Sequence, residues 1–268
     1  MRAIVSEPEN PAWTALKVAG RATKHAAKFV ARGASHAYTS IDPDVRKHIA
    51  DLPLLIPTMI GARSSEIPPL PDDGHAPIVC VHGLAGHPRN FMPLRAVMWL
   101  HGRTRIYSLV YADDRPLEDA AETLARCLEE IANRNELGEA AKIDVVAHSM
   151  GGLVGRMAMF DERCAARVRT FVTLGTPHRG TLAARFLATS RMLDLRPDSP
   201  LFEKLNAQLP WKPSAPRAVA FWSRADIFML PATTAMLEGA DNIELDGVSH
   251  NGYLIRPTAL AKAVESLV

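Results

Sequence analysis

The feature that most constrains the fold is an alternation, from residue 77 onward, between short apolar runs and segments of helical periodicity. Runs such as PIVCVHG (77–83) and KIDVVAHS (142–149) have few polar positions, which is typical of strands covered on both faces. The predicted strands are 77–83, 105–111, 142–149, 168–177, 216–226 and 242–250, and the clearest predicted helices are 116–138 and 152–160. This alternation predicts an α/β fold with a mostly parallel central sheet and helices on both faces.

A different region precedes this pattern. Residues 64–76, SSEIPPLPDDGHA, are rich in Ser, Pro, Asp and Gly, and we interpret them as a linker. The sequence therefore predicts two parts, an N-terminal helical extension with its linker (1–73) and an α/β domain (74–268).

Within the extension, residues 12–37 have a basic helical pattern. The basic side chains share one helical face, and no acidic residue lies between Pro11 and Ser40. They are Lys17, Arg21, Lys24, Lys28 and Arg32. Two interpretations stay open: weak peripheral binding to an anionic membrane through this face, or packing of the alanine-rich side on the α/β domain.

Composition argues against several other classes. A net charge of +2, with 22% charged residues, indicates no general attraction to nucleic acid. The N-terminus carries acids and prolines where a secretion signal has its apolar core, so we expect a cytoplasmic protein, with membrane contact at most peripheral. The three cysteines are widely spaced and show no metal-ligand pattern, so neither a metal site nor a disulfide framework is expected.

The stretch DVVAHSMGGLVGR contains a candidate nucleophile. Ser149 lies between a predicted strand and a predicted helix, with the small residues Ala147 and Gly151 two positions away on either side. A strained strand–turn–helix of this kind exposes a nucleophilic serine and directs helix N–H groups toward it. The alternative is that Ser149 only caps the helix, but capping does not explain His148 or the second glycine, Gly152.

A nucleophilic serine needs a base and an acid that orients the base. In this type of fold the chain order is serine, then acid, then histidine. Two histidines follow Ser149, and His250 is favoured over His178 because it lies at the last predicted strand, nearer the C-terminus. Asp226 is the candidate acid, since it lies at the C-terminal end of a predicted strand. The other aspartates considered are Asp194, Asp198, Asp241 and Asp246.

The loop VCVHGLAGHPRNF is the candidate for an oxyanion hole. An oxyanion hole in such a site combines the N–H after the nucleophile, here that of Met150, with one from an early strand's loop. Gly83 and Gly86 permit a sharp turn that places the N–H of Leu84. We interpret His82 as a residue that orders this loop, because it precedes the serine.

These segments together resemble the α/β-hydrolase family, and within it the bacterial triacylglycerol lipases and esterases. The resemblance rests on VHGLAG, AHSMGGLVGR, TLGTPHRGT, the aspartate after FWSRA, and GVSHNGYL, which span 77–256. TLGTPHRGT is also similar to deacylases that act on GPI-anchor inositol. The resemblance implies hydrolysis of lipid or acyl esters through an acyl-enzyme. In that reaction Ser149 attacks, His250 transfers the proton, Asp226 orients His250, and Leu84 with Met150 binds the oxyanion.

The resemblance implies no cofactor, and Asn251 and Gly252 stand where a calcium-binding relative would place an aspartate.

Residues 181–215 have an apolar pattern that fits either an acyl pocket or lid, or a face that covers the sheet. Ser199 is predicted to cap a helix that starts at Pro200. An acyltransferase or thioesterase with the same triad, and a non-catalytic binding module, are the alternative functions.

Overall fold

The computed structural model describes residues 42–55, 58, 66–112, 115–138, 140–186 and 190–268. The helices are α1 (Pro43–Leu55), α2 (Met92–Leu100), α3 (Leu117–Arg134), α4 (Met150–Ala158), α5 (Glu162–Arg167), α6 (Ser190–Asp194), α7 (Pro200–Asn206) and α8 (Pro257–Glu265). The strands are β1 (Ile78–Val81), β2 (Ile106–Ser108), β3 (Ile143–His148), β4 (Val168–Leu174), β5 (Arg217–Trp222) and β6 (Asp241–Glu244). The helix predicted at 12–37 lies outside the described residues.

The strands form one sheet in the order β2-β1-β3-β4-β5-β6, and every pairing within it is parallel. In the centre, Val146 of β3 is in register with Cys80 of β1 on one side and Val172 of β4 on the other. Because the strands are parallel, the loops that follow them gather at one edge of the sheet, where ligands bind in such folds. The prediction of an α/β fold with a parallel sheet is confirmed.

Both faces of the sheet are buried, as the continuous apolar runs predicted. In β1, Val79 and Val81 pack with α3 and α4, whereas Ile78 and Cys80 pack with α2 and α8 on the opposite face. Side chains alternate between the faces of a strand, so a strand between two helical layers needs an apolar residue at nearly every position. None of the helices in the described ranges is both long and apolar enough to cross a membrane.

The prediction that the last strand extends to His250 was wrong. Strand β6 ends at Glu244, and the N–H of Leu245 still bonds the carbonyl of Trp222 at 2.8 Å. Gly247 then has a φ of 63°, a conformation that turns the chain away from the sheet and that glycine adopts without strain. His250 consequently lies in a loop at the carboxyl edge of the sheet.

Candidate active site

Ser149 occupies a strained turn between β3 and α4. Its φ of 55° and ψ of −129° lie outside the regions that residues with a Cβ normally adopt, which costs about 1–3 kcal/mol. Ser149 is at the N-cap position of α4, but its side chain makes no capping hydrogen bond. The alternative role of a capping serine therefore finds no support in the geometry. The N–H of Ser149 donates to Leu174 O at 3.0 Å, which fixes the turn to β4.

Small residues around Ser149 allow three chain segments to meet. A Cβ on Gly151 would overlap the carbonyl oxygen of Val81, and one on Gly152 would overlap the side chain of Thr176. A Cβ on Gly83 would lie 2.7 Å from the Cβ of Ser149. The glycines that follow the serine are thus needed for close packing, and the loop after β1 lies directly beside Ser149.

His250 and Asp226 form a buried pair at the same edge of the sheet. The Nδ1 atom of His250 lies 2.8 Å from the Oδ2 atom of Asp226, and both side chains are nearly inaccessible. The other carboxylate oxygen, Oδ1, accepts a hydrogen bond from the N–H of Phe228 at 3.0 Å, which fixes the carboxylate plane. A carboxylate accepting from Nδ1–H leaves Nε2 of the neutral imidazole as a proton acceptor.

His148, the residue before the candidate nucleophile, contacts His250. Its Nε2 atom lies 2.9 Å from the carbonyl oxygen of His250, and the two ring centroids are 4.7 Å apart. Burial, and then the neighbouring His250, lower the pKa of His148 to about 3. The ring therefore stays neutral and donates its Nε2 hydrogen to the His250 carbonyl. This bond ties the loop of His250 to the end of β3, directly before Ser149.

The candidate oxyanion loop makes a tight turn. The N–H of Gly86 donates to Gly83 O at 3.0 Å, and Ala85 has a φ of 52°. The ring of His82 stacks on Tyr111 with centroids 4.5 Å apart, and the Tyr111 hydroxyl donates to His82 O. Leu84 lies within this turn, and Met150 is the first residue of α4, so both lie in segments adjacent to Ser149.

His178 lies in a different environment from His250. Its Nε2 atom is 3.0 Å from Thr173 Oγ1 on β4, and its side chain is fully buried. Burial, and then the nearby charge of Arg156, hold the pKa of His178 well below its ordinary value. The structure pairs Asp226 with His250 and gives His178 a packing role beside the turn.

The described part of the segment 181–215 contains both buried and exposed apolar side chains. Phe202 and Leu205 of α7 are buried in the core on one face of the sheet. Phe186 and Leu193, in contrast, expose 82% and 45% of their surface. The predicted cap at Ser199 has the right position, but the hydroxyl donates to Asp194 O instead of capping α7.

Several buried polar residues around the site were missed by the sequence analysis. Arg156 of α4 donates to the carbonyls of His178 and Leu205, and so joins two loops. His48 and Asp51 of α1 contact the loops that carry Asp226 and His250. A lone arginine, histidine or aspartate in a helix carries no sequence signal of burial, so these contacts could be found only in the folded chain.

Comparison with known proteins agrees with this architecture. The sequence model of the PGAP1-like alpha/beta domain matches residues 107–190, which include Ser149 but neither Asp226 nor His250. Mature lipase BlEst2 from Bacillus licheniformis superposes with a TM-score of 0.61 at 19% identity, over 76% of this chain and 96% of that chain. Aspergillus fumigatus lipase B superposes with a TM-score of 0.57 at 15% identity, over 72% of this chain and 52% of that chain.

A gene product of Listeria innocua is also similar, with a TM-score of 0.56 at 15% identity over 72% of this chain and 94% of that chain. Fold and superpositions together define the architecture: the chain has the α/β-hydrolase fold. The resemblance based on the sequence motifs is confirmed at this level, and the matched family segment of 107–190 contains the turn at Ser149.

Proposed function

We propose that this chain is a serine carboxylic-ester hydrolase that acts on lipid or acyl esters through an acyl-enzyme intermediate. The observation that carries the proposal is the buried His250–Asp226 pair, 2.8 Å between Nδ1 and Oδ2, at the edge of the sheet where Ser149 occupies a strained turn. A histidine oriented by a buried carboxylate, at the same sheet edge as a partly accessible serine in a strained turn, is the arrangement that activates a hydroxyl.

In the first half of the proposed reaction, Ser149 Oγ attacks the ester carbonyl carbon and His250 Nε2 accepts the hydroxyl proton. The negative charge that develops on the carbonyl oxygen is stabilised by the N–H groups of Met150 and Leu84. When the tetrahedral intermediate collapses, the bond to the alcohol breaks, and the alcohol leaves with the proton from His250. Asp226 stabilises the positive charge that His250 carries during this step.

In the second half, a water molecule takes the place of the alcohol. His250 accepts a proton from this water, the resulting hydroxide attacks the acyl carbon, and the second tetrahedral intermediate forms in the same oxyanion site. Its collapse returns the proton to Ser149 and releases the carboxylic acid. An acyltransferase would differ only in the acceptor, with an alcohol in the place of water.

Lipid or acyl esters are favoured as substrates because apolar side chains lie exposed beside the site. Phe228, whose ring centroid is 5.2 Å from that of His250, and the nearby Leu230 are both partly exposed. Leu182, which bonds Leu230 through the main chain, and Phe186 extend this apolar surface. Two of the superposed proteins are named lipases, which agrees with this substrate class.

The test compares wild type with Ser149→Ala and with Ser214→Ala, an exposed serine at the opposite end of the sheet. Hydrolysis of p-nitrophenyl esters from acetate to palmitate is measured, together with labelling by a fluorophosphonate followed by intact mass. We expect Ser149→Ala to lose at least about 10³-fold in rate and to accept no label, since the nucleophile is removed. Turnover or labelling that persists in Ser149→Ala at the level of Ser214→Ala would refute the proposal.

A further inference from the structure

Helix α1 precedes the linker, yet its buried face lies against the candidate site. The buried residues of α1 are His48, Asp51 and Leu55. Because they are three and four positions apart, they lie on one side of the helix. Two of these three are polar. The apolar residues of α1, in contrast, are mostly outside, because Ile49, Leu52 and Leu54 are all exposed. The helix is thus docked largely by polar contacts, which require specific partners.

His48 contacts both of the loops that carry the acid and the base. Its Nε2 atom is 3.2 Å from the N–H nitrogen of Ile227 and 3.3 Å from that of His250. The carbonyl oxygen of Ala225 lies 3.2 Å from the same atom. Two N–H groups directed at one ring nitrogen favour a neutral imidazole that accepts at Nε2 and carries its hydrogen on Nδ1. Burial, the largest influence, lowers the pKa of His48 and so favours the same neutral form.

Asp51 holds the chain on both sides of His250. One carboxylate oxygen accepts a hydrogen bond from the hydroxyl of Ser249, and the other forms an ion pair with Arg256 at 2.5 Å. The Ser249 hydroxyl in turn accepts from the N–H of Gly252 at 3.0 Å. A Cβ on Gly252 would lie 3.1 Å from Asp51 Oδ2, so the loop passes close over the helix.

We propose that α1 is a positioning element of the active site, in which His48 and Asp51 hold the loops of Asp226 and His250 in the geometry that proton transfer needs. Neither residue is catalytic, since each acts through the main chain or through Ser249. The inference rests on the function proposed above. Its physical basis is that His250 lies in a loop beyond the end of β6, where the sheet itself no longer fixes the main chain. A displacement of about 1 Å at a reacting group can reduce a rate about 100-fold.

The experiment uses the full chain with His48→Leu, which removes the acceptor, and His48→Gln, whose amide oxygen reaches about as far as Nε2. Leu52→Ala, on the exposed face of α1, is the control. We expect His48→Leu to lower kcat for a p-nitrophenyl ester by about 10- to 100-fold with KM within about twofold, because positioning affects the reacting atoms more than substrate binding. His48→Gln is expected to recover most of kcat, and Leu52→Ala to match wild type. Asp51→Asn, which loses the charge opposite Arg256, is expected to lower kcat in the same manner.

Thermal unfolding, measured for each variant, separates positioning from stability. Wild-type kcat in folded His48→Leu, or a loss in kcat that only follows the folded fraction, would overturn the inference. If His48→Leu does not fold, His48→Gln is compared with His48→Asn. The shorter asparagine side chain places its oxygen near the position of Nδ1, whereas glutamine places its oxygen near that of Nε2. Equal kcat values for these two variants would refute positioning through Nε2. Failure of the proposed function would look different, since wild type would show no turnover that depends on Ser149.

Discussion

Two buried histidines predict that this protein loses stability at mildly acidic pH. His148 and His178 are both buried in the folded chain, and burial lowers the pKa of His148 to about 3 and that of His178 well below its ordinary value. In the unfolded chain both rings have the ordinary histidine pKa of about 6.5. Between these values the unfolded chain binds more protons than the folded chain, so the free energy of unfolding falls as the pH is lowered below about 6.5.

The size of this loss in unfolding free energy depends only on the pKa of the histidine in the unfolded chain, once its pKa in the folded chain is well below the pH of measurement. At about pH 5, which is about 1.5 below the unfolded value, His148 reduces the free energy of unfolding by about 2 kcal/mol. His178 acts in the same direction, and the contribution of His148 alone is already a large part of the roughly 5–15 kcal/mol by which domains are typically stable. Most carboxylates, with pKa values near 4, bind few protons in this range.

The measurement is urea unfolding at several pH values between about pH 7.5 and about pH 5, for wild type, His148→Gln and His178→Gln. In His148→Gln the decrease in unfolding free energy between the two pH values is expected to be about 2 kcal/mol smaller than in wild type, and in His178→Gln it is also expected to be smaller, whatever the stability of each variant at neutral pH. The amide of glutamine can donate at about the position of Nε2, so the hydrogen bonds to His250 O and Thr173 Oγ1 have a replacement. A wild-type protein equally stable at both ends of the range, or variants with the wild-type decrease, would refute the reasoning.

Three further predictions concern activity and location. His178→Ala should retain most esterase activity and His250→Ala should lose nearly all of it, because the structure pairs only His250 with Asp226; ester hydrolysis rates with the opposite ranking would reassign the base. Full activity is expected after EDTA treatment, since the proposed proton transfers use side chains alone; a loss that calcium restores would contradict this. Residues 12–37 are expected to give weak binding to anionic vesicles, at about 1 kcal/mol per basic residue near the surface. Co-sedimentation of the whole chain and of one starting at Ser40 tests this, and equal binding by both would refute it.

Much of the fold and the candidate site could be predicted from local sequence. A strand buried on both faces must be apolar at most positions, so β1, β3 and β4 were visible as largely apolar runs. The turn at Ser149 was visible because close packing against β1 and Thr176 requires glycine at specific positions. In parallel strands the carboxyl ends share one edge, so residues that follow separate strands, such as Asp226, could be expected near one another.

What local sequence could not determine was how the loops beyond the strands are arranged. His178 and His250 both follow apolar runs, and only the folded chain shows that Asp226 bonds the second of them. The end of β6 depended on a glycine turn that an extended apolar pattern does not reveal.

The sequence by itself therefore determined the sheet, the serine turn and the set of candidate residues, because each depends on burial or on steric limits within a few positions of the chain. The tertiary structure decided which histidine meets the aspartate and which remote groups hold them. The hydrogen bond between His48 and His250 joins residues 202 positions apart, and the bond between Asp51 and Ser249 joins residues 198 positions apart. A hydrogen bond from one polar side chain to a group so far along the chain leaves no periodicity in the sequence. It exists only after the sheet has brought α1 and the loop of His250 to the same edge.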